Sequence, residues 1–479
     1  MRLQPLDLGI VLTYLLGVTA LGIHFRRGQS GARDYFLGGR TAPWWALAFS
    51  IVATETSTLT IVGTPALSYA GDMAFLQLVM GYLLGRAVIV LILLPRYFRG
   101  EIFTAYELME RRFGGHMRAV AASTFLFTRA LAEGVRVSAI ALVVSVVLGT
   151  SERLAVCIVI ALTILYTLEG GMRAVIWTDV AQLLLYLAGS VVTFGVLLHS
   201  ISGGWAEVAR VAAAGHKLRI FDFTPGFSAK YTLWSGLIGG AFLTMATHGV
   251  DQTIVQRLLA ARNERDSRRA LLTSGIIVLG QFALFLVLGV MLFVYSQHNP
   301  LLTAGEPADR VLPAFLVGRM PAGIAGLLFA SILAAAMSNA SGALNSLAAS
   351  SVLDFAVLRR KSANPAQTLR LSRLATLLWG CVLLGFALKR WSSLLETALT
   401  VASIPFGALL GLFLLGMLDS RATPRGAATG MFVGVATIVA VFYFTSVAYT
   451  WYVLFGTLTT FLAGAVVSRM GSKRFSRAP

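Results

Sequence analysis

The side chains in this sequence that can do chemistry are mostly oxygen donors set inside apolar stretches. The run FSIVATETSTLTIVGTPALSY holds Thr54, Glu55, Thr56, Ser57, Thr58 and Thr60, followed by Gly63 and Pro65. Further on, SILAAAMSNASGALNSLAASSVLD (331–354) sets Ser331, Ser338, Ser341 and Asn345 on one helical face, because residues three, four and seven apart align along a helix. Ala335 and Gly342 on that face are small enough to admit a backbone or an ion. Hydroxyl, amide and carbonyl oxygens of this kind suit a hard cation. The same pattern also serves plain packing between transmembrane helices. An enzyme would want His, Asp and Glu clustered at metal or dyad spacing, and no such spacing is found; Cys157 and Cys381 lack metal or redox spacing as well.

Charged residues sit in the same apolar context. Glu55 near a bilayer centre costs several kcal/mol unless paired, solvated or protonated, so it reads as an ion, proton or substrate contact, or else as a packing partner of Arg86, Arg129 or Arg136. Arg129, Glu133 and Arg136 lie four and three residues apart and read as an internal salt-bridge ladder, or as a ladder with one guanidinium left to hold a solute carboxylate. Asp179, beside Thr178 and Gln182, is an interfacial cap or an ion ligand. In LIGGAFLTMATHGVDQTIVQRLLA, Gly239, Gly240 and Gly249 with Thr244, Thr247 and His248 mark a second interrupted or widened helix.

These residues must be positioned by membrane helices. The chain of 479 residues is 57% hydrophobic and 13% charged, with a mean hydropathy of +0.78, which excludes an ordinary soluble domain. Thirteen stretches near the roughly 20-residue spanning length lie at about 7–25, 44–70, 73–95, 119–148, 152–168, 174–199, 232–258, 270–297, 321–354, 369–389, 393–417, 425–446 and 448–468. The expected fold is an all-α polytopic membrane protein. The formal charge of +18 gathers in alternate loops and sets the N-terminus outside and the C-terminus in the cytoplasm of a plasma (inner) membrane protein. Basic groups there include Arg26, Arg27, Arg33 and Arg40, and the 257–269 and 359–373 clusters. That distribution points to a lipid bilayer and not to nucleic acid. The first helix reads as retained, since its basic residues follow the apolar run. The segment from 96 to 118 reads as an amphipathic stretch on the cytoplasmic interface.

Hydroxyl-rich, Gly- and Pro-interrupted sequence at membrane depth implies unwound backbone lining a cavity. With the first helix set aside, the two interrupted helices open two five-helix halves, 44–199 and 232–417, followed by two extra helices at 425–468, in a single transport domain spanning 1–479. That is the pattern of an inverted repeat binding its solute at the midplane. A solute pocket is then expected beside Glu55, Ser57, Thr60, Gln77, Thr244, Thr247 and His248, from their position and polarity.

DYFLGGR (34–40), GGMRAVIWTDVAQ (170–182), DQTIVQRLLA (251–260) and AAMSNASGALNSLAASSVLDF (335–355) occur in order. With them the chain resembles the sodium:solute symporter family over nearly its whole length. The resemblance implies a five-plus-five inverted repeat and a primary sodium site. The site takes the carbonyls of Ala53 and Thr56 with the Ala335 carbonyl and the Ser338 hydroxyl; Asn339 stands where Ser or Thr is usual. It also implies a second sodium at Asp179 and Ser341 in some members, although Gly342 replaces a common Ser. Glu55 stands where proline permeases have an aspartate and where sugar and sialic acid transporters have an uncharged residue, which points away from sugars. The implied activity is sodium-coupled symport of an amino acid, carboxylate, sialic acid or sugar into the cell. Its rivals are proton coupling through Glu55 or Asp179, and a non-transporting sensor, which the short tail does not support.

Overall fold

The computed structural model describes residues 4–25, 32–100, 102–148, 150–303, 305–356, 365–388 and 394–475. Arg26, Arg27, residues 359–364 and the last four residues lie outside them. The chain is helical, and among the described residues the β structure is one isolated bridge, Ala42 to Ala261. In order the helices are α1 (Pro5–His24), α2 (Trp44–Glu55), α3 (Thr58–Ala70), α4 (Leu76–Val88), α5 (Glu107–Phe113), α6 (Gly115–Leu148), α7 (Glu152–Ser200) and α8 (Gly204–Ala214). They continue with α9 (Gly240–Gly249), α10 (Gln252–Leu259), α11 (Glu264–Ser296), α12 (Val311–Arg319), α13 (Ile324–Ser350), α14 (Pro365–Ala387), α15 (Leu394–Leu418), α16 (Pro424–Phe444) and α17 (Tyr452–Phe475).

Among the described residues eight helices are long and apolar enough to cross a bilayer, nine if α2 and α3 count as one span bent by 66°. The remaining expected spans are also helical, as α6, the first arm of α7, the α9–α10 pair and α15. α7 carries two spans because Gly171, at φ 54° and ψ −153°, breaks it. A side chain there would be strained, and its Cβ would meet the Tyr35 carbonyl at 2.6 Å.

Both expected interruptions are present. Thr56 (φ −85°, ψ 105°) and Ser57 (φ −98°, ψ 167°) are extended. Ser57 then restarts the helix by a reciprocal capping box with Thr60, each side chain accepting the other's backbone N–H at 3.3 Å. The second break falls at Val250 and Asp251, where the Asp251 carboxylate caps α10 by accepting from the Thr253 N–H at 2.7 Å.

Two features depart from expectation. α13 is buried on essentially every side from Ala325 to Ser350, so the face with Ser331, Ser338, Ser341 and Asn345 is one of several faces packed against protein. The polar residues of α13 address different neighbours: Ser331 reaches the Leu185 carbonyl, Ser346 the Thr253 hydroxyl, and Asn345 accepts from Gln256. A helix surrounded by other helices has polar partners in every direction, which sequence periodicity does not reveal. The 102–113 segment, expected at the interface, is folded inward, with Ile102, Thr104, Ala105 and Tyr106 fully buried. Thr104 and Arg118 both donate to Asp354 at the end of α13, at 2.6 and 2.7 Å, which draws the segment into the protein.

Candidate functional site

The α2–α3 break frees two carbonyls for a reason visible in the hydrogen bonds. In an unbroken helix the N–H groups of Ser57 and Thr60 would go to the carbonyls of Ala53 and Thr56. Here they go into the capping box instead, Ser57 to the Thr60 hydroxyl and Thr60 to the Ser57 hydroxyl and carbonyl. The freed Thr56 carbonyl faces α13, where the Asn339 side-chain amide nitrogen donates to it at 2.8 Å and to the Ala335 carbonyl at 3.0 Å. Ser338, one residue away, donates its hydroxyl to Asp179 Oδ1 at 2.6 Å, which leaves its oxygen lone pairs available. Thr56, Ala335, Ser338 and Asn339 are thus drawn together across the break, with Ala53 one turn before it.

Asp179 is tied down further. Its Oδ2 accepts from Ser50 at 2.5 Å and from Arg257 Nη2 at 2.8 Å. Arg257 also donates to Ser50 Oγ and to the Thr253 carbonyl, each at 2.8 Å, and is 1% exposed. The sequence places Arg257 in the cytoplasmic basic cluster; it is instead buried inside the protein against Ser50 and Asp179. The signal was available, since 257 falls inside the 232–258 stretch. Gly342 gives the guanidinium room, as a Cβ there would lie 2.8 Å from Arg257 Nη2. Ser341 turns to the Ser338 carbonyl at 3.0 Å and makes no bond to Asp179. Gln281 of α11, which sequence reading passed over, donates to the Thr56 hydroxyl at 2.8 Å.

Glu55 forms an ion pair with Arg86, a fully buried arginine of α4, and lies 3.3 Å from His248 Nε2. Arg86 also meets His248 at 3.2 Å, and His248 Nδ1 bonds the Thr247 hydroxyl at 2.9 Å. Glu55, Thr247 and His248 therefore form one polar group with Arg86. Ser57 and Thr60 flank it at the break, occupied in the capping box, and Thr244 packs against α4 beside Gly85. Gln77 is not part of it: its amide donates to the Ala74 and Tyr231 carbonyls and accepts from Asp222 N–H, holding the 219–232 loop down.

On α6 the ladder takes an unforeseen member. Glu133 Oε2 lies 3.5 Å from Arg129 and 3.3 Å from Arg136, while Asp251 at the second break lies 3.8 Å from Arg129. These are loose contacts. Among the described residues the buried Arg129 Nε and Nη2 complete no hydrogen bond, Nη2 meeting Glu133 only at the 3.5 Å of a long ion pair, an arrangement that costs free energy unless something arrives to accept.

Comparison with known proteins agrees with this architecture. The sodium/sialic acid symporter of Proteus mirabilis is 29% identical over 478 residues, covering 97% of this chain and 95% of that one. The human sodium/iodide cotransporter is 30% identical over 449 residues, covering 90% and 68%. A solved structure of a sodium-coupled sialic acid symporter, substrate-bound and outward-open, superposes with a TM-score of 0.90 at 29% identity, covering 98% of each chain. A nucleobase-cation symporter with 14% identity and a TM-score of 0.56, covering 93% and 96%, has the same fold. The sequence profile of the sodium:solute symporter family matches residues 35–434. The chain belongs to the sodium:solute symporter family.

Proposed function

We propose that this chain couples one sodium ion per cycle to the inward symport of a small organic solute carrying a carboxylate. The observation that carries the reading is the convergence of the Thr56 and Ala335 carbonyls on one atom of the Asn339 side chain across the helix break, beside the Ser338 hydroxyl; the ion would take these two carbonyls, the Ala53 carbonyl, the Ser338 hydroxyl and, once the amide turns, the Asn339 oxygen. Sodium bridging α2 and α13 there ties the two bodies that move against each other. It thereby raises the fraction of carriers competent to bind solute.

Two observations support an anionic solute. Arg129 holds its two carboxylate neighbours only at 3.5 and 3.8 Å and leaves its buried Nε and Nη2 without a completed hydrogen bond among the described residues, and a guanidinium receives a carboxylate through two parallel bonds. The carboxylate of Glu55, which would repel an anion, is neutralised by Arg86. The relatives are in keeping, being named for sialic acid, iodide and, at 28% identity in Xenopus laevis, monocarboxylates. The Asp179 charge is met by Arg257 and two hydroxyls, which supports a single sodium and leaves neither Asp179 nor Glu55 as an unpaired proton carrier. The halves 44–199 and 232–417 supply one moving body and one frame within a single domain, N-terminus outside and C-terminus in the cytoplasm.

Reconstitution into liposomes tests the reading. An imposed inward sodium gradient should drive uptake of at least one solute from a panel of sialic acids, monocarboxylates, amino acids and sugars, with carboxylates competing. Uptake driven equally by a pH step at zero sodium, or by neutral sugars alone, would overturn it.

A further inference from the structure

Asn339, within the proposed sodium site, has a chemistry of its own. One side-chain atom of Asn339 lies 2.8 Å from the Thr56 carbonyl and 3.0 Å from the Ala335 carbonyl. Two carbonyl oxygens converge only on a donor or a cation, so without an ion the nitrogen end of the amide must face them. The other end then suffers: Asn339 is 1% exposed and its Oδ1 is buried with no hydrogen-bond partner. Hydroxyl side chains cannot make this arrangement, since one O–H serves one carbonyl where the NH2 group serves two.

We propose that Asn339 is a resident competitor for sodium. With no ion bound, its NH2 group takes the ion's place between the Thr56 and Ala335 carbonyls and holds the helix break to α13. Sodium enters by turning the amide about its last torsion, so that Oδ1 replaces the nitrogen and joins the carbonyls around the cation. The orphaned oxygen is a ligand waiting for an ion, and the two bonds to the carbonyls are what the ion must displace. The inference rests on the sodium-site reading above and gives this chain a weaker apparent sodium affinity than a Ser or Thr at 339 would. It also gives the ion-free carrier a link across the break, and so a residual binding of solute at zero sodium.

The test is direct sodium binding by the purified full chain. It is read as thermal stabilisation when NaCl replaces choline chloride at constant ionic strength, in wild type, Asn339→Ser and Asn339→Thr. Removing the competing donor should lower the half-saturating sodium concentration about 3- to 10-fold, the equilibrium equivalent of about one net hydrogen bond, and should weaken residual solute binding at zero sodium. Isotope-edited infrared difference spectra of wild type with labelled asparagine, compared with Asn339→Ser, should show a side-chain carbonyl band of Asn339 that shifts on adding sodium. A sodium response in which the variants need as much sodium as wild type or more, or an amide band that does not move, would overturn the Asn339 proposal and leave the sodium site standing. No sodium response in wild type or variants would overturn both.

Discussion

Replacing Arg257 by Met should expose how much the membrane core depends on its internal cation. The Arg257 and Asp179 side chains are 1% and 0% exposed and 2.8 Å apart. At an effective dielectric of about 20 their attraction is about 6 kcal/mol, and breaking a buried pair by removing one partner costs about 3–5 kcal/mol because the other charge is stranded. Ser50 and Ser338 still donate to Asp179 in the variant, which keeps the expected loss near the lower end, about 3 kcal/mol. Adding Asp179→Asn removes the stranded charge and should restore most of that, giving a coupling of at least about 2 kcal/mol in a double-mutant cycle. Equilibrium unfolding in mixed detergent micelles measures all four corners. A further signature is specific to the cation: in Arg257→Met, sodium should stabilise the protein relative to choline more than in wild type, by about 1.4 kcal/mol at saturating sodium for each tenfold by which the variant's dissociation constant falls below that of wild type. Equal stability of the single and double variants, or a cost below about 1 kcal/mol, would refute the idea that the guanidinium neutralises Asp179.

Ser338→Ala should raise the sodium concentration for half-maximal uptake at least about tenfold, the price of a charge-assisted contact, while Ser341→Ala changes it little; sodium titrations of liposome uptake separate the two. Wild-type sodium activation should follow a hyperbola with a Hill coefficient of 1, and a value near 2 would restore a second ion. Arg129→Gln should raise KM for a carboxylate solute about 10- to 100-fold, the equivalent of losing a charge-assisted bidentate contact of about 1.5–3 kcal/mol, with half-saturating sodium nearly unchanged. Gly289→Ala should destabilise the protein by about 1–3 kcal/mol, seen as a lowered melting temperature, because its Cβ would run into the Pro65 carbonyl and Ser68 Oγ where α11 crosses α3.

The fold was legible because spanning length, the hydroxyl-rich interruption at Thr54–Thr60 and the glycine-rich one at Gly239–Gly249 are local signals. Each break has a local cause, a capping box at Ser57 and an aspartate cap at Asp251. The gathering of Thr56, Ala335, Ser338 and Asn339 came from family resemblance joined to that break. What sequence reading lacked were partners distant in the chain. Arg86, offered as one of three mates for Glu55, could not be singled out from its own helix, and Asp251 gave no hint of reaching Arg129. Arg257 was misplaced because adjacent basic residues made it look cytoplasmic; its burial follows from an aspartate 78 residues away. The inward fold of 102–113 likewise depends on Asp354, far along the chain.

Three clusters of buried charge among the described residues cancel locally. Glu55 is met by Arg86, Asp179 by Arg257, and Glu133 with Asp251 by Arg129 and Arg136. With histidine neutral, these groups sum to zero. A body carrying no net charge does no electrical work when it reorients, whereas each elementary charge moved through 100 mV is worth about 2.3 kcal/mol. These three clusters therefore give voltage no purchase on the return of the empty carrier. If the ion and an anionic solute travel together, the loaded step is also electrically silent, and accumulation draws on the sodium concentration ratio in place of the membrane potential.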